Sequence, residues 1–215
     1  MWSSDLCSLT PFPSFENFIK LKENSLFIIN TKNQDKYSEF IKKSEYNYFL
    51  FDAFNEKIGN PYFPFLNCIR EKSEKLTEVL KEELIENSKI YYFQKEIFKG
   101  FLLNKEIKRN EELNIEEIKY EKSEMNNSLK NIMNYSFCNE KETIIFIKNG
   151  NFLEESSLNF IKWILGKNIR ERFIIVLNFD DTLFNADEDL AAIWEEILEI
   201  GEERALIYNS EEIYE

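Results

Sequence analysis

The 215-residue sequence predicts a helix-rich, three-layer α/β/α domain on a parallel sheet, and three observations carry that expectation. Short apolar runs alternate with segments of helical period, the pattern that parallel strands joined by helical crossovers produce. The run Phe173-Ile174-Ile175-Val176-Leu177 carries no charge, as a strand covered on both faces should. Only 5 glycines and 4 prolines punctuate the chain, so the connections should be largely helical.

The elements follow in order. After an irregular lead-in through Pro13, Ser14 can cap a short helix Phe15–Lys22. Strand Ser25–Asn30 comes next, then helix Asp35–Ser44 with Phe40 and Ile41 on its apolar face. The aromatic stretch Tyr46–Asp52 reads as a strand, its Tyr46, Tyr48, Phe49 and Phe51 as core rather than a base-stacking surface, since few Lys or Arg lie near them. Asn60-Pro61-Tyr62-Phe63-Pro64-Phe65 is a rigid turn opening helix Leu66–Lys72.

A helical middle follows. Leu76, Val79, Leu80 and Leu84 recur at helical spacing, as do Ile97, Phe98, Phe101 and Leu102. Lys105–Glu124 is so charged that it reads as a loop or an exposed helix, and Ser123–Phe137 as a helix. Strand Thr143–Ile147, helix Glu154–Leu165 with Gly166 at its C′ position, strand Arg172–Asn178, helix Leu190–Ile200 ending at Gly201, and strand Ala205–Tyr208 complete the chain. The expected organisation is a lead-in over 1–24 and one domain over 25–215, with a charged helical insertion around 73–137.

Composition narrows the function. A chain of this length buries roughly 70% of its unfolded surface, enough for a core without covalent staples. There is no histidine, and Cys7, Cys68 and Cys138 form no C-x-x-C, which removes His-based triads and the usual zinc sites. Cysteine usage and the absence of a basic, apolar leader at Met1-Trp2-Ser3-Ser4-Asp5 point to a reducing, cytoplasmic setting. No apolar run reaches the ~18 residues of a membrane span. The net charge is −13, and residues 180–215 hold thirteen acids against Arg204, −12 of that total. Such a segment does not bind a phosphate backbone; it is a solvated acidic face or a patch for a protein partner.

Three stretches together resemble the P-loop ATPase module of the AAA+/STAND superfamily found in bacterial signalling proteins. On that family's G-x-x-G-x-G-K-[ST], Asn30, Asn33 and Asp35 fall where glycines belong, Lys36 on the lysine and Tyr37 on the hydroxyl. Asn60–Arg70 is similar to its "P-Y-x-P-F-x-x-x-L-R" stretch. Ile144-Ile145-Phe146-Ile147-Lys148-Asn149-Gly150-Asn151-Phe152-Leu153-Glu154-Glu155-Ser156-Ser157-Leu158 resembles its Walker B region, with Phe152 in the Trp place, Glu154 at the later acid and Ser157-Leu158 matching directly. Phe173–Leu177 takes the place of the sensor strand, and the likeness keeps its order from about Phe15 to Tyr208. The resemblance implies a P-loop-like fold without a complete lid, a segment of a larger protein or a small stand-alone relative.

The departures from the family remove its chemistry. Glycines let a turn's N–H groups converge on an anion, whereas Asn33 and Asp35 add side chains there and Asp35 adds negative charge. Tyr37 replaces the small hydroxyl that would reach Mg²⁺, and Lys148 and Asn149 replace the carboxylates that hold metal and orient water. The expectation is therefore a pseudo-ATPase with no catalytic residue, no metal ligand and no ATP–Mg²⁺ cofactor, acting as a regulatory or protein-interaction domain. Two alternatives stay open: a nucleotide or anion sensor binding weakly through Lys36, and a small acidic inhibitor or nucleic-acid mimic docking through residues 180–215. Asn178-Phe179-Asp180-Asp181-Thr182-Leu183 also resembles the D-x-D-x-T strand end of haloacid-dehalogenase-type phosphatases, but Asn178 stands where the nucleophilic aspartate would be.

Overall fold

A computed structural model describes residues 26–31, 33–54, 61–103, 115–137, 143–167, 171–180 and 188–209. The expected helix Phe15–Lys22, Cys7, Cys138, Asn60, Asp181 and residues 105–114 of the charged middle lie outside the described residues. The described elements run β1 (Leu26–Asn30), α1 (Gln34–Lys43), β2 (Asn47–Asp52), α2 (Phe63–Ser73), α3 (Glu78–Asn87), α4 (Tyr92–Leu103), α5 (Ile115–Ser136), β3 (Thr143–Lys148), a 3₁₀ turn (Gly150–Phe152), α6 (Glu155–Lys167), β4 (Phe173–Phe179), α7 (Glu188–Glu203) and β5 (Ile207–Asn209).

The strands form one sheet in the order β2-β3-β4-β1-β5, and every pairing is parallel. The chain leaves β1 toward β2 at the far edge, then returns stepwise through β3 and β4 and crosses β1 to reach β5. Right-handed crossovers put helices on opposite faces when the direction of travel reverses. Tyr37 of α1 accordingly meets Tyr208 of β5 on one face, with ring centroids 6.3 Å apart. On the other face Phe49 and Phe51 of β2 meet Phe137 and Phe63, and Gly201 of α7 lies against Ile28 of β1. The three-layer α/β/α fold follows.

The core follows from the charge-free strands. Every residue of β4 is buried, as are Leu26–Ile29 of β1 and Thr143–Ile147 of β3. Phe160 of α6 packs edge-on against Phe65 of α2 at 4.7 Å, which joins these two helices. The charged middle is helical from Ile115 onward, continuous with the expected helix over Ser123–Phe137, in one element of 22 residues. The helical spacing of Val79, Leu80 and Leu84 is met by α3, with Leu84 and Ile85 on its core face and Val79 and Leu80 exposed. Tyr48 is likewise 41% exposed, unlike the buried Phe51.

Two glycines do not end their helices. α6 continues to Lys167 through Gly166, and α7 continues to Glu203 through Gly201. In α7 the residue in the left-handed region is Ala205 (φ 52°), where Leu206 N donates to Gly201 O at 2.8 Å and Ala205 N to Glu202 O at 3.0 Å. Those two bonds define a Schellman cap with alanine at C′. Gly201 is small for another reason: a Cβ there would come within 3.1 Å of Ile28 Cδ1 and 3.2 Å of Ile207 Cγ1. No helix among the described residues is long and apolar enough to cross a membrane.

Gly150 is the tightest point, because a Cβ would lie 2.6 Å from both Asn178 O and Leu177 Cδ1. Gly150→Ala should cost about 2 kcal/mol, a typical overpacking penalty. Gly166→Ala, where a Cβ meets nothing within 4 Å, should instead stabilise by up to about 0.5 kcal/mol through helix propensity. Urea unfolding of the two variants checks both signs.

Candidate functional site

In an open α/β sheet, ligands bind beyond the carboxyl ends of the strands where the direction of chain travel reverses. Here that point lies at β1 and β4, which are neighbours whose connections leave toward opposite edges. The segments singled out in the sequence meet at this edge, and the side chains there bond to one another.

The loop after β1 spends its backbone on holding itself to the sheet. Thr31 N donates to Phe179 O at 3.0 Å, and Asn33 N donates to the Thr31 hydroxyl at 3.1 Å. From β4 the fully buried Asn178 donates its amide to Ile29 O at 3.3 Å and Thr31 O at 3.1 Å. Asn178 thus clamps the end of β1, which accounts for a polar side chain inside an apolar strand. Its amide oxygen has no hydrogen-bond partner among the described residues. Asn30 ends β1 in register with Phe179, and Asn33 stands exposed at the N-cap position without a side-chain cap bond.

The five positions of the glycine-rich pattern separate in space. Tyr37 is buried in the core at 1% exposure, away from any role at a phosphate. Lys36 is exposed on α1. Asp35, in the first turn of α1, reaches across the front of β4 and accepts from Lys148 Nζ at 2.6 Å. The cation at the end of β3 and the anion at the start of α1 therefore neutralise each other. With the Asp35 side chain 82% exposed, this pair contributes at most about 1 kcal/mol.

Beside it, Asn149 and Gln34 form a two-bond clasp. Gln34 Nε2 donates to Asn149 Oδ1 and Asn149 N donates to Gln34 Oε1, both at 2.8 Å. Asn149 Nδ2 donates in turn to Asp52 Oδ1 at the end of β2, at 2.7 Å. Asn149 has φ 54°, a left-handed conformation that asparagine tolerates better than most residues. Farther along, Asn151 and Asp180 exchange two 3.0 Å bonds, joining the turn after β3 to the end of β4. Sequence reading missed Gln34 and Asp52. A polar residue next to Asp35 and an acid at a strand end were the available signals, and neither has a partner until the strands are placed.

Glu154 binds two of the resembling stretches together. Its carboxylate accepts from Ser157 N at 2.6 Å and from the Ser157 hydroxyl, capping α6. It also accepts from Tyr62 N at 2.8 Å, in the turn that opens α2. Glu155 is exposed in the first turn of α6. Phe152 is exposed, with its ring 4.9 Å from that of Phe54. In the acidic segment, Glu195, Glu196, Glu199, Glu202 and Glu203 are exposed along α7, with Glu196 paired to Lys162 at 3.0 Å. Among the described residues no three His, Cys, Asp or Glu side chains are grouped to hold a metal ion.

Burial first, then the Glu154 and Glu155 carboxylates, push the Tyr62 phenol up to about 12. A free phenol titrates near about 10, so the folded state favours the neutral form. That contribution to stability is fully present below pH ~10 and is lost as pH rises from about 10 to 12. Tyr62→Phe should flatten the alkaline fall in unfolding free energy across that window. At neutral pH, Asn149→Ala should cost about 2–3 kcal/mol, because it removes the side-chain half of the clasp and the bond to Asp52 and puts alanine in the left-handed region. Lys148→Met should cost less than about 1 kcal/mol, an amount that fades in high salt. Urea titrations at low and high ionic strength separate the two.

Comparison of the sequence with protein-family models and with curated proteins finds no match in either.

Proposed function

We propose that this chain is a P-loop-like scaffold of the AAA+/STAND kind that has lost nucleotide chemistry, and that it acts as a regulatory or protein-interaction domain of a bacterial signalling protein. The observation that carries the reading is the Asp35–Lys148 ion pair at the reversal point of the sheet. An ATPase needs that place open, with convergent N–H donors for phosphate and a carboxylate for Mg²⁺. Here an ammonium takes the position of the metal-binding carboxylate, and a carboxylate takes a glycine's position in the phosphate turn. The Gln34–Asn149 clasp supports the reading further, since it ties the start of α1 to the end of β3. Thr31 N and Asn33 N, which a phosphate turn would aim at an anion, bond within the protein instead.

A scaffold kept without its reaction serves through its surface. The exposed acids of α7 offer a face to a basic partner protein, and the association would weaken as salt rises. The direct experiment is isothermal titration with ATP, with and without Mg²⁺. No binding at micromolar ATP is the expected result. Micromolar binding that disappears in Lys36→Ala would overturn the proposal in favour of a nucleotide sensor working through the exposed Lys36.

A further inference from the structure

The open edge of the sheet at β2 has a hydrogen-bonding pattern complementary to itself. Ala53 N donates to Lys148 O on β3 at 3.0 Å. Because main-chain groups alternate along a strand, the odd-numbered residues of β2 direct theirs at β3 and the even-numbered residues direct theirs outward. No described strand lies beyond β2. The outward N–H and C=O groups of Tyr48 and Leu50 have no hydrogen-bond partner among the described residues. These two residues stand one on each side of Phe49.

Natural edges of this kind are blunted by shortness, lysine, proline or a bulge. β5, at the opposite edge, has only three residues. β2 has six, with no charge and no proline from Asn47 to Phe51, and its ladder with β3 is unbroken.

We propose that a second copy of the chain pairs with this edge, antiparallel, about a two-fold axis at Phe49. In that register Tyr48 faces Leu50 of the partner subunit, and Leu50 faces Tyr48 of the partner subunit. Facing residues in the hydrogen-bonded positions of an antiparallel ladder exchange both bonds. All four open groups on each copy are then satisfied, and the two five-stranded sheets become one. A segment of another protein could use the same donors, but two features favour a second copy. The open groups are symmetric about one residue, so the strand presents to itself the spacing it requires. The flanking charges are also complementary when the strand is reversed: exposed Lys42 and Lys43 at its leading end outweigh Glu45, and Asp52 stands at its trailing end. The uncharged stretch between them brings no like charges face to face. This pairing stands apart from the fate of the nucleotide site.

Sedimentation equilibrium from micromolar to near-millimolar protein tests it. The expected result is a reversible monomer–dimer equilibrium that strengthens with added salt, because each copy carries −13 and screening relieves their repulsion. Leu50→Pro deletes an N–H that points away from β3, so the fold should survive while the dissociation constant rises at least roughly tenfold. Tyr48→Pro should act alike. A single-chain mass at every concentration, or a dimer unmoved by both substitutions, overturns the proposal. If far-UV circular dichroism shows that the variants unfold, hydrogen exchange on the unmodified chain decides. Protection of the Tyr48 and Leu50 amides that rises with concentration supports the pairing, and protection independent of concentration overturns it.

Discussion

The rest of the structure depends on β4. It is paired on one side with β3 and on the other with β1, and all seven of its residues are buried. A strand in that position has no route to solvent, so every side chain on it must be apolar or internally bonded. Phe173–Leu177 meet the first condition, and Asn178, through its bonds to Ile29 O and Thr31 O, meets the second with its amide. The same strand limits its surroundings: Gly150 lacks a side chain because the Leu177–Asn178 segment occupies the space one would need. Phe179 lies 5.1 Å from Trp194, which seats α7.

A parallel sheet brings all its strand ends to one side, where main-chain and side-chain polar groups crowd. Many α/β proteins leave this edge open at the reversal point for a ligand. Here it is held by a row of internal bonds running from Thr31 and Asn178 to Lys148, Asn149 and Asp52. Each bond is modest, about 1 kcal/mol, but together they join the ends of four strands and the start of α1. The arrangement serves cohesion, and it is what a nucleotide would have to displace.

Much of this could be read from the residues. Apolar runs without charge placed all five strands to within one or two residues, because a strand covered on both faces leaves little choice of side chain. The turn at Pro61–Phe65 announced α2, which begins slightly earlier than expected, at Phe63, with proline in its first turn where proline is tolerated. Helix ends were less legible. Gly166 and Gly201 looked like stops, yet glycine can also sit inside a helix for want of space, as at Gly201, or without visible cause, as at Gly166. The site was legible only as a set of misplaced residue types. Lys148 and Asp35 each looked wrong for phosphate chemistry taken alone, and their pairing across 113 residues of chain was invisible.

By itself, the sequence determined the layered α/β architecture, since alternating apolar and helix-period segments permit few other ways to bury so many Phe, Ile and Leu side chains. It also determined which residue types stand at the strand ends. Only the tertiary structure decided strand order, and with it which of those residues meet. Gln34 and Asp52 gained their roles when α1 crossed the front of β4 and β2 took its place beside β3. Strand order also left Tyr48 and Leu50 at an edge. The physical reason is the same in each case: burial is a property of one position and shows in its residue type, whereas a hydrogen bond is a property of two, and the sequence does not say which two will be neighbours.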